Sequence, residues 1–138
     1  VESGFGVYFD GIDDYMQVSD IDLSGRSFTV EVWVKRQRTK ATETIVSQGT
    51  GKTGKGLHFG FLSNDQMRFT FWGDGNCHNL KRTFGAGAAS TEKEWHHFAA
   101  TFDIGKSTNP NKRVGSVYKN GILIATCIKE RAFTGKGL

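Results

Sequence analysis

The sequence predicts an all-β protein, either a sandwich or a barrel, and three observations support this fold class. Apolar and polar residues alternate with a period of two in short segments, whereas the period of a helix is nearly absent. Clusters of Gly, Asn, Asp and Ser separate these segments at the spacing of about 8–12 residues that is typical of antiparallel sandwiches and barrels. Glycine accounts for 18 of the 138 residues and proline for only one, which indicates many tight turns. The sequence therefore predicts eight or more short strands.

The strands can be assigned in order from this alternation. The clearest one is 27–35, where four apolar side chains share one face and a polar and aromatic set occupies the other. Segments 57–62 and 66–72 are predicted to form a hairpin, because the Asn and Asp between them tolerate left-handed backbone. Asn120-Gly121 predicts a second hairpin, since both central residues of a type I′ turn have positive φ. The other predicted strands are 5–9, 15–18, 44–47 and 95–103, with 114–119 and 122–127 on either side of Asn120-Gly121.

Length and composition limit the classes of protein to which the chain can belong. We expect one domain over residues 1–138, since this length suffices for one hydrophobic core and no linker or internal repeat interrupts it. The aromatic share of 12% excludes intrinsic disorder, and no apolar stretch approaches the ~20 residues that a membrane span needs. The net charge of +4 favours polyanions without indicating a specific nucleic-acid partner. The basic run 35–40 is expected to be either a solvated loop or an attractant for acidic glycans.

The sequence shows neither the paired carboxylates of a glycosidase nor the residue spacing of a zinc site. A β-sandwich glycosidase needs two carboxylates close together on one face of its sheet, but Glu31 stands alone on its strand. The histidines and cysteines show no zinc-binding spacing, and adjacent His96 and His97 point to opposite sides of one strand. The sequence therefore predicts a protein that is not an enzyme. Cys77 and Cys127 permit one disulfide and do not require it.

Strand parity places an unusual set of side chains on faces turned away from the main core. Two tryptophans are among them, and each would expose a large apolar area if nothing covered it. Sugar rings stack their C–H faces on aromatic rings and bond their hydroxyls to charged and amide groups, so such a face is typical of a glycan site. The alternative is that a long loop covers the tryptophans, which then form a second core. The candidate ligand-binding residues are Trp33, His58, Arg68 and Trp72 on the strands, with Asp74 and His78 on the adjoining loop.

A cluster of carboxylates early in the sequence is a candidate metal site. Asp10, Asp13 and Asp14 belong to the motif D-G-I-D-D, and carboxylates together with turn carbonyls are ligands of calcium. Their spacing differs from that of the EF-hand loop. A turn in which the Asp side chains bond their own backbone explains the same motif without a metal, and both interpretations stay open.

Five segments carry a family resemblance, and their order and spacing run through nearly the whole chain. They are 7–15 (VYFDGIDDY), 27–34 (SFTVEVWV), 44–48 (TIVSQ), 95–103 (WHHFAATFD) and 117–125 (VYKNGILIA). Together they resemble the laminin-G-like branch of the concanavalin A-like lectin/glucanase superfamily. The resemblance implies a two-sheet antiparallel jelly roll whose members bind sugars, sulfated glycans or proteins, often as accessory modules of extracellular proteins. It also implies a structural calcium ion at Asp10, Asp13 and Asp14.

The resemblance further implies that the last strands of the family pattern are missing. That pattern continues beyond residues 135–138 with strands that close the sheets beside the first strand, so we expect an unpaired edge and a route to homo-oligomers. These observations predict a non-catalytic carbohydrate-binding or adhesion module, extracellular or at the cell surface. Its expected partner is a glycan, acidic polysaccharides included, or a cell-surface glycoprotein. The alternative is a protein–protein interaction module that associates through the unpaired edge.

Overall fold

The computed structural model describes residues 5–19, 21–50, 52, 55–72, 94–105, 113–129 and 132–135. Within these ranges the chain forms seven β-strands and no helix. The strands are β1 (Phe28–Lys35), β2 (Glu43–Gly49), β3 (Gly56–Phe61), β4 (Met67–Phe71), β5 (Trp95–Asp103), β6 (Arg113–Lys119) and β7 (Ile122–Lys129). They pair into two antiparallel sheets, a four-stranded one ordered β1-β5-β6-β7 and a three-stranded one ordered β2-β3-β4. The predicted all-β sandwich of two antiparallel sheets is confirmed.

A phenylalanine-rich core fills the space between the two sheets. On β1 the predicted inward side chains, such as Val32, pack on this core, whereas Trp33 beside it is exposed. The core joins the two sheets directly, because the ring centroids of Phe71 on β4 and Phe102 on β5 lie 5.0 Å apart. The buried core residues are Leu57, Phe59, Phe61, Met67, Phe69, Phe71, Phe98, Ala100, Phe102, Val117, Ala125 and Phe133.

The hairpin between β6 and β7 is fixed by its turn residues and by the neighbouring strand. Asn120 and Gly121 have φ angles of 49° and 79°, which confirms the positive values that a type I′ turn requires. The backbone N–H of Asn120 donates to the carbonyl of His97 at 2.8 Å, and the Asn120 side-chain oxygen accepts the His97 N–H at 2.9 Å. The tip of this hairpin is therefore bound to β5.

Two predicted strands, 5–9 and 15–18, are not strands in the structure. This part of the chain is irregular, and apolar side chains such as Phe5 and Tyr15 are exposed. Alternation makes a segment compatible with a strand, but a strand forms only where a neighbour satisfies its backbone N–H and C=O groups. None of the seven described strands pairs with this segment, so both predictions were wrong.

An ion-pair cluster centred on Arg36 joins the end of β1 to β2 and to the β3–β4 hairpin. The Arg36 Nε donates to Glu43 at 2.8 Å, and one of its terminal nitrogens donates to Asp65 at 3.1 Å. The guanidinium carbon also lies 4.0 Å from the centroid of the Phe61 ring. Arg36 is only 6% exposed, so this member of the basic run 35–40 is a structural residue and is not available to a glycan.

The structure also bears on the cysteines. Cys127 on β7 is disulfide-bonded. Cys77 is the only other cysteine of the sequence, and it lies outside the described residues. The sequence left the disulfide open, and the structure includes one at Cys127.

Candidate functional site

Three of the predicted ligand-binding residues lie together on the outward side of the three-stranded sheet. Along β3 and β4 the phenylalanines enter the core, whereas His58 and Arg68 alternate with them and point the other way. Trp72 directly follows β4, and its ring centroid lies 6.2 Å from that of His58. We call the surface formed by His58, Arg68 and Trp72 the Trp72 face.

The Trp72 ring is presented to solvent by a well-fixed stretch of backbone. Its side chain is 51% exposed, while its backbone N–H donates to the carbonyl of Gly56 at 2.6 Å. A Cβ atom on Gly56 would lie 2.6 Å from the Thr50 carbonyl oxygen and 3.2 Å from the Trp72 Cβ, so the close approach requires glycine. An exposed aromatic ring held in this way is a preformed stacking surface for an apolar ligand face.

Two nitrogen atoms of the Trp72 face, His58 Nδ1 and Arg68 Nε, are buried without a hydrogen-bond partner in the part of the chain that the structure describes. Leaving a buried donor unpaired is unfavourable, and such atoms in native proteins usually have a partner or a role. Burial of the ring and, secondarily, the charge of Arg68 hold the pKa of His58 below its ordinary value of 6.5. The lowered pKa favours the neutral imidazole, which has one N–H donor and one acceptor nitrogen, beside the Trp72 ring.

Trp33, the fourth candidate on a strand, lies on the opposite side of the sandwich. It belongs to β1 and points outward from the four-stranded sheet, with its ring centroid 5.3 Å from that of His97. Packed sheets are about 10 Å apart, so one small ligand cannot contact Trp33 and Trp72 together. Trp33 is 63% exposed and Trp72 51%, which contradicts the alternative that both are covered as a second core.

One exposed tryptophan was missed in the sequence, and two predicted loop residues lie outside the described part of the chain. Trp95 begins β5 opposite Lys35, shares the outward face with Trp33, and is 51% exposed. Because Trp95 has the same strand parity as His97, the alternation in the sequence was sufficient to find it. Asp74 and His78, predicted on the loop after Trp72, lie outside the described residues.

An open cavity of about 370 Å³ lies between the loop after β2 and the segment after β7. One of its lining residues, Lys55, precedes Gly56, whose carbonyl accepts the Trp72 N–H. The loop that forms one wall is closed by backbone hydrogen bonds from Thr50 to Lys55 at 3.0 Å and from Lys55 to Lys52 at 2.9 Å. Two lysines make the cavity basic. Its lining residues are Gly49, Thr50, Lys52, Lys55, Thr134 and Gly135.

The three predicted metal-ligating carboxylates also come together in the structure. One oxygen from each of Asp10, Asp13 and Asp14 lies within 4.8 Å of the others, and all three residues are exposed. Calcium–oxygen bonds of about 2.4 Å place opposite ligands at most ~4.8 Å apart, so the donor set fits calcium. Two of the carboxylates also bond the turn itself, since Asp14 accepts the Asp10 N–H at 3.0 Å and Asp10 accepts the Ile12 N–H at 2.7 Å. The structure thus shows both the backbone hydrogen bonds expected of a turn without a metal and the converging oxygens expected of a calcium site.

Two stacked antiparallel sheets with outward aromatic side chains place the chain in the class of β-sandwiches that includes lectins. A family model described as the concanavalin A-like lectin/glucanases superfamily, Laminin_G_3, matches residues 10–136, and the chain belongs to this family. Domains of the laminin-G-like type are generally non-catalytic and typically extracellular. A search of the curated proteins and a search of the solved structures each found no significant match. The described residues contain no helix that is long and apolar enough to cross a membrane.

Proposed function

We propose that this chain is a non-catalytic carbohydrate-binding or adhesion module, extracellular or at the cell surface, that binds a glycan on the Trp72 face. The observation that supports this proposal is a tryptophan more than half exposed at the end of a paired strand, beside two buried nitrogen atoms that have no hydrogen-bond partner among the described residues. A sugar ring needs an aromatic platform for its C–H face and donors or acceptors for its hydroxyls. The Trp72 face supplies both within one surface.

Each residue of the Trp72 face has a separate role in this proposal. Trp72 stacks on a pyranose ring, while His58 and Arg68 hydrogen-bond the substituents of that ring. Asp74 and His78 are proposed to complete the site from the loop that follows. Trp33 is left out of this site because the core separates it from Trp72.

Replacing Trp72 with alanine should weaken glycan binding at least ~10-fold, because a central stacking tryptophan is a typical hot spot. A glycan array first identifies a bound oligosaccharide, and isothermal titration then measures its dissociation constant. Trp33→Ala is the matched control, since it removes another exposed tryptophan from the other sheet and should leave the affinity within ~2-fold. Loss of binding in Trp33→Ala with full affinity in Trp72→Ala would contradict the proposal and would show that the glycan binds on the four-stranded sheet.

We also propose that Asp10, Asp13 and Asp14 hold a calcium ion that orders their turn. Calcium at 100 times its dissociation constant should stabilise the fold by about 2.7 kcal/mol and raise the melting temperature by several degrees relative to chelator. Asp13→Asn should remove this increase and cost little without calcium, because no hydrogen bond of the turn in the structure uses the Asp13 carboxylate. Magnesium is the control ion. Equal melting temperatures in millimolar calcium and in chelator would contradict the proposal.

A second candidate function is self-association through an unpaired sheet edge, and one observation favours it. Phe5, Tyr8, Ile12 and Tyr15 are each more than 70% exposed in a segment that pairs with none of the described strands. Such a segment in one copy can add as a strand to a sheet edge of another copy. Light scattering over a range of concentrations should then show a dimer or a larger species that Tyr8→Asp with Tyr15→Asp disperses. A monomer at every concentration would leave glycan binding as the better candidate.

A further inference from the structure

We infer that the cavity between the loop after β2 and the segment after β7 binds the phosphate group of a small phosphorylated molecule. Lys52 and Lys55 supply the positive charge of this site, and Thr50 and Thr134 supply hydroxyl groups. None of the described residues that line the cavity belongs to the Trp72 face, so the site is a second one, independent of glycan binding.

The two walls of the cavity are fixed where they meet. The segment after β7 is anchored by Phe133, which is fully buried in the core. Both walls converge on the carbonyl oxygen of Lys55, because a Cβ atom placed on either Gly49 or Gly135 would overlap that oxygen. This close approach requires glycine on both sides. The cavity is therefore formed before a ligand enters it, as most small-molecule sites are.

Two positive charges share this cavity without a matching negative charge. Lys52 and Lys55 both line it, and neither forms an ion pair with a carboxylate of the described residues. The sequence of the loop, GTGKTGKG over residues 49–56, contains no acidic residue that could neutralise them. Two cations at one cavity repel each other, and an anion bound between them replaces this repulsion with attraction. The charge of the cavity therefore selects an anionic ligand.

A phosphomonoester matches these groups better than a singly charged anion does. It carries a charge of about −1.5 to −2 at neutral pH, which balances two ammonium groups, and its three oxygens accept hydrogen bonds from ammonium and hydroxyl donors. Lysine binds phosphate as a point charge, without the planar geometry that arginine imposes. The volume of about 370 Å³ lies in the range of small-molecule pockets, ~300–1,000 Å³, so an organic group fits beside the phosphate.

The loop differs from the phosphate-binding loop of nucleotide-binding proteins at its end. Residues 49–55 follow the pattern G-x-x-x-x-G-K, but Gly56 stands where that loop has the Ser or Thr that binds magnesium. Strand β3 begins at Gly56, whereas a nucleotide-binding loop leads into a helix whose N-terminus holds phosphate. We therefore expect a small molecule with one phosphate group, such as a sugar phosphate, in preference to a nucleoside triphosphate with magnesium.

The test is a titration of the whole isotope-labelled chain with phenyl phosphate and with phenyl sulfate, followed by NMR at neutral pH and ~0.15 M NaCl. With phenyl phosphate, the backbone amide signals of Gly49, Thr50 and Gly135 should shift along a curve that saturates. The sulfate ester has the same shape but only one negative charge, and it should bind at least ~5-fold more weakly. The double substitution Lys52→Gln, Lys55→Gln should weaken the binding of phenyl phosphate at least ~10-fold, because it removes two charged donors.

The matched control is the double substitution Lys35→Gln, Lys40→Gln, which removes the same number of positive charges from exposed positions. Both lysines lie toward the other end of the three-stranded sheet, where the Lys40 N–H and the neighbouring Arg36 bond Asp65. Salt screens charges at that distance, so the control should change the affinity less than ~2-fold.

Three results would overturn the inference. They are shifts that do not saturate, equal affinity for the phosphate and sulfate esters, and equal weakening by the two double substitutions, which would indicate attraction by net charge alone. If Lys52→Gln, Lys55→Gln lowers the melting temperature, Lys52→Arg, Lys55→Arg keeps both charges and should bind phenyl phosphate within ~3-fold of the unsubstituted chain. Loss of binding in that variant as well would count against the inference. Each of these results leaves glycan binding at the Trp72 face standing.

Discussion

Replacing Phe71 with alanine should lower the free energy of unfolding by about 3–5 kcal/mol, the range for removing a fully buried phenylalanine from a core. Phe71 is fully buried, and its ring centroid lies 5.0 Å from those of Phe102 and Phe133 and 5.7 Å from that of Phe69. These rings are fixed on both sheets and in the segment after β7, so they cannot collapse easily into the space that the substitution leaves.

The measurement is urea denaturation followed by circular dichroism, with the midpoint and the slope compared between variants. Phe5→Ala is the matched control, because it makes the same chemical change at a fully exposed position and should alter stability by less than ~0.5 kcal/mol. A domain of this size is stable by only ~5–15 kcal/mol, so Phe71→Ala should be near the limit of folding. A loss below ~1 kcal/mol would mean that Phe71 does not join the sheets as the structure shows.

The second large effect is expected for Arg36→Met, which should destabilise the protein by about 2–4 kcal/mol. Breaking a buried ion pair by removing one partner costs ~3–5 kcal/mol, and the value is reduced here because Glu43 and Asp65 keep some contact with water. The methionine replaces the apolar part of the contact with Phe61 but removes the Arg36 cation from both carboxylates, while Glu43 keeps its contact with the exposed Arg38. The decrease in the free energy of unfolding therefore measures the contribution of the ion pairs more than that of the packing.

Arg38→Met is the control for this substitution. Arg38 also donates to Glu43, at 3.3 Å, but its side chain is 57% exposed, and exposed ion pairs contribute less than ~1 kcal/mol. Urea denaturation of both variants should place Arg36→Met well below Arg38→Met in stability. Equal losses would indicate that burial of Arg36 adds nothing to its ion pairs.

The sequence was most informative where the structure depends on neighbouring residues along the chain. The alternation in 27–35 and 95–103 predicted which side chains of β1 and β5 face the core, and Asn120-Gly121 predicted the β6–β7 turn. These features are local, because a strand has a fixed period of two and a type I′ turn needs positive φ at two adjacent residues. The prediction of the D-G-I-D-D turn was local in the same sense, and its carboxylates do converge.

Features that depend on distant parts of the chain were not predictable in this way. Parity shows which side chains of a strand point outward, but it does not show which sheet the strand joins. Trp33 and Trp72 were therefore grouped together although β1 and β4 belong to different sheets. Lys52 and Thr134 form one cavity only because the loop after β2 meets the end of the described chain. The segment 5–9 has the pattern of a strand but pairs with none of the described strands.

The separation of the tryptophans between two sides of the sandwich makes their fluorescence a selective reporter. Only Trp72 would contact a sugar in the proposed complex, while Trp33 and Trp95 emit from the far sheet as a constant background. With three tryptophans in the sequence, a Trp33→Phe, Trp95→Phe double variant retains a single fluorophore. Its emission spectrum would follow occupancy of the site without an attached dye, and the binding surface would remain chemically unaltered.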